Sequence, residues 1–322
     1  RVTAANNTRR GVTWYGSALT ITDSVIESNG RNGVYARVNG LTVTGSTFQN
    51  NTSAGLATYS NGETYTPTLQ NNTFSGNGGD GANLNGAMVL QDNLIAGNSG
   101  AGNGTNRISL GGVITGTSTL GPQTNLPYGF TSASIPSGGS LTLRAGTVAK
   151  SGSGGQLTVN GTLLAEGRSE FPVYLTSLKD DSVGGDTDGD GGAPAAGNWG
   201  YVQVSGGGAS ATLNHTYIRY GRGSGNILSC YAVVFVDTGA ALTINGGGIE
   251  DSVYHGLSGY GSGDVVLRDA VVSRNGSGSG YYNYGGISSA TNNMSGLTLE
   301  RVTAANNTWS GVTWHGSALT IT

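Results

Sequence analysis

The sequence predicts an all-β parallel solenoid, a β-helix of about 13 turns of roughly 22 residues, and three observations carry that prediction. The first is a long-range recurrence. Residues 1–22 read RVTAANNTRRGVTWYGSALTIT and residues 301–322 read RVTAANNTWSGVTWHGSALTIT, so 19 of 22 positions agree at an offset of 300. Arg9, Arg10 and Tyr15 are replaced by Trp309, Ser310 and His315. Recurrence at a fixed period marks stacked architectures, in which one unit cannot bury its own apolar face and its neighbours bury it instead. The second is a finer period inside the first hundred residues. Asn7, Asn29, Asn51, Asn77 and Asn98 are each followed four residues later by Gly, and preceded three residues earlier by Ala4, Ile26, Phe48, Phe74 and Ile95. The third is composition: 59 Gly, 10% charged residues, and short alternating stretches such as GVTW, GVYA, ALTIT and GLTVT. Alternation over four to six residues marks strands with one buried face, and no helical period competes with it.

Each unit then reads as three short strands joined by three turns. Leu19 and Ile21 point inward and Thr20 and Thr22 outward, because strand side chains alternate. An Asn at the same place in every turn can stack as a ladder whose amides bond along the axis, with ordinary turn preference as the alternative reading. Gly at the corners permits tight bends. The same register returns near the other end, where Ser252 with Gly256 and Asn307 with Gly311 fit it; Asn275 fits too, followed by the insertion GSGSGYYNYGG. Between Asn98 and Gly221 the turns are harder to follow. One 300-residue period rises roughly 60 Å at about 4.8 Å per turn.

These units resemble the right-handed β-helix repeats of the pectate-lyase-like superfamily. Residues 135–166, IPSGGSLTLRAGTVAKSGSGGQLTVNGTLLAE, and the following FPVYLTSLKDDSVGGDTDGDGGAPAAGNWGYVQV resemble stretches common in large bacterial surface and secreted β-helix proteins. The resemblance implies a right-handed helix in an exported, cell-surface or matrix protein. It implies no activity, since a fold hosts many functions.

The expected organisation is one continuous β-helix over 1–322. Residues 1–300 form one large repeat, 301–322 begin the next copy, and 176–198 form an acidic loop insertion. The chain opens at Arg1, inside a repeat and without Met, and so reads as a piece of a longer or processed polypeptide. A net charge of −3 gives no basic stripe for nucleic acid. No apolar run reaches the roughly 18 residues that would span a bilayer. The single cysteine, Cys230, excludes an intrachain disulfide framework and reads as a small buried hydrophobe.

Three groups of residues could carry chemistry. Asp180, Asp181, Asp186, Asp188 and Asp190 hold five of the 18 acidic residues, and Asp186 to Gly191 reads DTDGDG. Alternate carboxylates in a tight loop can converge on a hard cation, so these five are candidate ligands for a structural Ca²⁺. Gly197 stands where an EF-hand would need Glu, so this is not a complete EF-hand; the other reading is a solvated acidic loop. An enzyme of this superfamily type would need a carboxylate constellation on the strands. The polygalacturonase-type motifs are absent, and no carboxylates accompany His255 or His315, so no catalytic residues are assigned. Aromatic residues at Trp14, Trp199, Trp309, Trp314, Tyr281, Tyr282 and Tyr284 could stack on surface glycans. Against that stands core packing for Trp14 and Trp314, with loop cover for the tyrosines.

The recurrence favours an extracellular structural fibre whose partners are copies of itself, head-to-tail, joined covalently or stacked as subunits. A heterologous contact that does not close generates filaments. A cell-surface adhesin or carbohydrate-binding β-helix is the alternative, and a polysaccharide lyase or hydrolase the second.

Overall fold

A computed structural model describes residues 1–223, 231–261, 263–278, 284–289 and 294–322. Cys230, Tyr281 and Tyr282 lie outside the described residues. Among those described the regular structure is all strand, and every strand pairing is parallel. The first turn consists of strands Thr3–Ala5, Val12–Tyr15 and Ala18–Thr22. Each pairs with its counterpart in the second turn, Val25–Glu27, Val34–Val38 and Gly40–Thr44, in the registers Ala4↔Ile26, Val12↔Val34 and Leu19↔Leu41. This is a parallel β-helix.

Alternation decides which residues fill it. Along Val34–Val38 the burial pattern puts Val34, Ala36 and Val38 inside, with Arg37 exposed. Inward residues then form columns down the axis. Ile26, Phe48 and Phe74 share one, and the two Phe rings stack at 5.0 Å and 14°. Ile21, Val43, Leu69 and Ile95 share another. Corners are made by residues with positive φ at equivalent places: Asn6 (58°), Ser28 (54°), Asn50 (54°), Gly76 (61°) and Gly102 (62°). Asn and Gly are the residues that tolerate this left-handed region at least cost.

The Asn residues form a ladder, with one change of membership. Asn7 Nδ2 donates to Asn29 Oδ1 (2.8 Å), Asn29 to Asn51 (2.8 Å), Asn51 to Asn77 (2.9 Å), and Asn77 to Asn103 (2.8 Å), which donates in turn to Asn106 (2.9 Å). Asn98 is not in this column. It accepts from Asn72 at 3.0 Å in a second ladder at another corner, continuing from Ser24 and Ser46. Gly100, not Ile95, pairs with Phe74. The Asn98–Gly102 spacing imitates the motif by chance, because the turn that contains it is longer. Ser252, Asn275 and Asn307 form a third stretch, with Asn275 donating to Asn307 at 3.0 Å.

Beyond residue 100 two strand faces fuse into long bent strands such as Thr105–Ile114, Ser210–Arg219 and Ala241–Glu250. Twelve successive rungs run from Val12–Tyr15 to Val312–Thr313, so eleven steps separate the two near-identical turns. The expected 13 falls to eleven because central turns are long: Leu157 pairs with Val202, 45 residues later. Eleven rungs rise about 53 Å.

Trp14 departs from its expected place in the core. Its column continues inward through Ala36, Thr58 and Leu84, all fully buried. Trp14 itself is 43% exposed, in the first of the turns described. Its counterpart Trp314 is half-buried against the core, and Trp199 is buried, its indole donating to the Arg219 carbonyl at 2.5 Å.

Candidate functional site

The acidic segment lies between strands Val173–Ser177 and Tyr201–Val204 and carries no strand of its own. Gly184, Gly185, Gly189 and Gly191 all have positive φ, which folds the segment tightly enough to turn alternate carboxylates toward one point. Asp181, Asp186 and Asp188 each bring a carboxylate oxygen within 4.8 Å of the others. One Oδ1 of Asp181 and one of Asp188 are buried without a hydrogen-bond partner.

The other two aspartates have different places. Asp180 is fully buried and accepts from Thr176 Oγ1 (2.7 Å) and Ser182 Oγ (2.5 Å), with Arg219 Nη1 at 3.9 Å. Asp190 is ion-paired with Lys179 and accepts the Gly192 N–H at 2.7 Å. Sequence spacing grouped all five; the fold brings three together.

A residue that sequence reading passed over sits under the loop. Lys150 is fully buried and its Nζ donates to the Gly185 carbonyl. Burial pushes its pKa down, opposed by the charges of Asp180, Asp181, Asp186 and Asp188. Desolvation, followed by the neighbouring carboxylate of Asp186, raises Asp181; desolvation and then Asp190 raise Asp188. The local field is therefore acidic beyond what one ammonium neutralises. Oxygen donors of this kind, with unpaired lone pairs, suit a hard divalent cation. The loop is anchored by buried Thr187, whose carbonyl accepts the Asn106 N–H at 2.6 Å. The insertion thus closes off the end of the first Asn ladder.

Elsewhere, a cleft of about 910 Å³ is lined by residues including Arg144, Glu166, Arg168, Asn214 and His215. Glu166 is its one lining carboxylate, and Arg144 holds it at 3.2 Å while also binding Asp92 at 2.8 Å. Glycoside hydrolysis ordinarily needs two carboxylates flanking the bond. His255 is buried; burial pushes its pKa down to about 4, and its Nδ1 accepts the Gly285 N–H at 3.0 Å. Among the described residues no helix is long and apolar enough to cross a membrane.

Residues 1–119 match the family described as right-handed β-helix region. The match covers 119 of the 322 residues, and with the stacked parallel strands that continue to Ile321 it supports a right-handed parallel β-helix fold for the chain. That family includes both pectate-lyase-like enzymes and non-enzymes. No curated protein and no solved structure matches the chain.

Proposed function

We propose that this chain is a segment of an extracellular structural fibre, built from 300-residue β-helical repeats stacked head-to-tail. One observation carries the reading: the turn formed by residues 301–322 repeats in shape the turn formed by residues 1–22. Strands Thr3–Ala5 and Thr303–Ala305 coincide in sequence position, and both turns place Val12 or Val312 and Leu19 or Leu319 on the rung beside them. Asn7 donates to Asn29 in the turn after it, and Asn307 accepts from Asn275 in the turn before it. Overlaying the two turns makes both the ladder and the core columns continuous across a junction. The same overlay covers Val2 (59% exposed) and Trp14, and Leu319 (42%) and Ile321 (67%). It also fills a hollow of about 250 Å³ lined by Val2, Val12, Leu19, Ile21 and Ile26. Arg301 binds Asp269 at 2.6 and 2.9 Å, a pairing Arg1 of a following copy would repeat.

The test is a chain in which residues 23–322 follow residue 322. Small-angle scattering should give one rod lengthened by about 53 Å, melting as a unit above the single period. Two independently tumbling bodies with an unchanged midpoint would refute the reading.

Within this reading Asp181, Asp186 and Asp188 hold a structural Ca²⁺ that orders the insertion. Titration calorimetry should show Ca²⁺ binding that Asp188→Asn weakens; no heat from Ca²⁺ would leave Lys150 as the counter-charge.

A further inference from the structure

Five of the 13 arginines, Arg1, Arg9, Arg10, Arg31 and Arg37, fall in the first two turns. Arg107, Arg144, Arg219, Arg268, Arg274 and Arg301 are all ion-paired. Arg9, Arg10, Arg31 and Arg37 have no carboxylate partner among the described residues, as is also true of Arg1, Arg168 and Arg222; what distinguishes the first four from Arg168 and Arg222 is that they cluster on two adjacent turns. Arg10 lies over the Tyr35 ring at 4.1 Å, and its buried Nε has no hydrogen-bond partner. Tyr15, Tyr35 and Tyr59 continue the face, one ring per turn, with centroids 6.1 and 5.5 Å apart. The only carboxylates in residues 1–60 are Asp23 and Glu27. Asp23 sits at a different corner, and Glu27 is on another strand face, bound to Gln49. Exposed Arg and Tyr are the side chains that concentrate at protein interfaces.

The three positions that differ between the near-identical turns, Arg9/Trp309, Arg10/Ser310 and Tyr15/His315, are all on this face. All three changes fall outside the stacking residues, while the outward Thr20 and Thr22 recur as Thr320 and Thr322. Of the three arginines in residues 1–22, Arg1 recurs as Arg301 and Arg9 and Arg10 are replaced.

The complement is on the same edge of the rod. Arg31 N donates to the Arg9 carbonyl, so these two stack at the corner that follows Asn7 and Asn29. The acidic insertion meets the far end of that same Asn ladder, where Asn106 donates to Thr187. The basic face covers the first rungs, and the insertion covers the fifth to the eighth. At about 4.8 Å per rung they are about 15–30 Å apart along the axis. Two rods laid side by side and antiparallel therefore bring each basic face against the other's insertion, in two equivalent contacts related by a two-fold axis.

We infer that two copies of this chain pair laterally and antiparallel, the Arg9–Arg10–Arg31 face of each docking on the calcium-free Asp186–Asp190 loop of the other, so that Ca²⁺ on Asp186 and Asp188 competes with the contact. This contact is distinct from axial stacking and is independent of it. It is electrostatic, whereas the end turns are apolar, so salt separates the two.

Sedimentation velocity on the 322-residue chain in chelator tests it, and added Ca²⁺ should weaken the association. A dimer should form at about 0.05 M NaCl and weaken at least about tenfold by about 0.5 M, where screening shortens the range of charge interactions. Arg9→Glu with Arg31→Glu should abolish it, as should Asp186→Lys with Asp190→Lys; all four side chains are at the surface, and circular dichroism checks folding. Mixing the two reversed variants should restore a 1:1 dimer, since both contacts regain opposite charges. A monomer at low salt, an association indifferent to salt, or no rescue on mixing would each overturn the inference. So would capture of dextran sulfate by the unaltered but not the arginine-reversed chain, with no dimer, because the face would then serve an anionic polymer.

Discussion

Replacing Asn51 by Ala removes the middle of the first ladder, and its cost can be worked bond by bond. Asn51 is 1% exposed. Its Oδ1 accepts from Asn29 N at 3.2 Å and Asn29 Nδ2 at 2.8 Å. Its Nδ2 donates to the Ile26 carbonyl at 3.0 Å and to Asn77 Oδ1 at 2.9 Å. After truncation Asn29 Nδ2 keeps Ala4 O, and Asn77 Oδ1 keeps the Asn51 N–H. Asn29 N loses its acceptor in a dry corner, while the Ile26 carbonyl loses one of two donors, since the strand register also sets the Gln49 N–H on it. An orphaned buried polar group costs about 1–3 kcal/mol, so with one such group the substitution should cost roughly 1–3 kcal/mol. Asn7→Ala is the internal comparison. Asn7 is exposed and only donates, so its loss should cost less than about 1 kcal/mol. Urea unfolding followed by circular dichroism reads both. Equal midpoint shifts, or a shift for Asn51→Ala no larger than a surface substitution gives, would refute the claim that the ladder contributes stability by satisfying buried groups.

Other outcomes follow from the same structure. Phe74→Ala should cost about 3–5 kcal/mol in the same assay, because it opens a void against Phe48 in a fully buried column. Gly33→Ala should destabilise although alanine is small, since its Cβ would meet Gly55 O at 2.6 Å and Asn51 Nδ2 at 2.8 Å; a neutral melting temperature would contradict the packing. His255 has a folded pKa of about 4 against an ordinary 6.5, so its contribution is complete above pH 6.5 and is lost as pH falls toward 4. The melting temperature should fall over that window, and His255→Asn should flatten the fall. Asp181 and Asp188 have the opposite sign: raised above 3.8, they stabilise the loop when protonated and lose that contribution as pH rises through the raised values. In chelator, hydrogen-exchange protection of residues 181–190 should therefore drop as pH rises from about 4 to 7, and Ca²⁺ should restore it.

The repeat architecture was legible because strand alternation and corner chemistry are both local. Asn6–Asn7 spells a left-handed corner followed by a ladder amide, and Ile26, Phe48 and Phe74 spell one inward column. What escaped was set by turn length. Asn98 carried the right spacing to Gly102, yet a 26-residue turn moved the ladder to Asn103. Trp14 read as core because its column is core; its exposure depends on what stacks above it. The acidic loop announced itself in DTDGDG, but which aspartates converge depended on Lys179, Arg219 and Thr176, which draw Asp190 and Asp180 away. Lys150 gave a weaker signal: a lysine at a buried strand position, where its ammonium donates to the Gly185 carbonyl beneath the acidic loop. The Arg–Tyr face combined residues from several turns and became visible only when they were stacked.

The most direct test of the central claim is electron microscopy of the native material, with its axial repeat measured. Head-to-tail β-helical stacking predicts thin, uniform, unbranched fibres with an axial period of about 53 Å, eleven rungs of about 4.8 Å. Discrete short rods of fixed length, with no axial period, would contradict it.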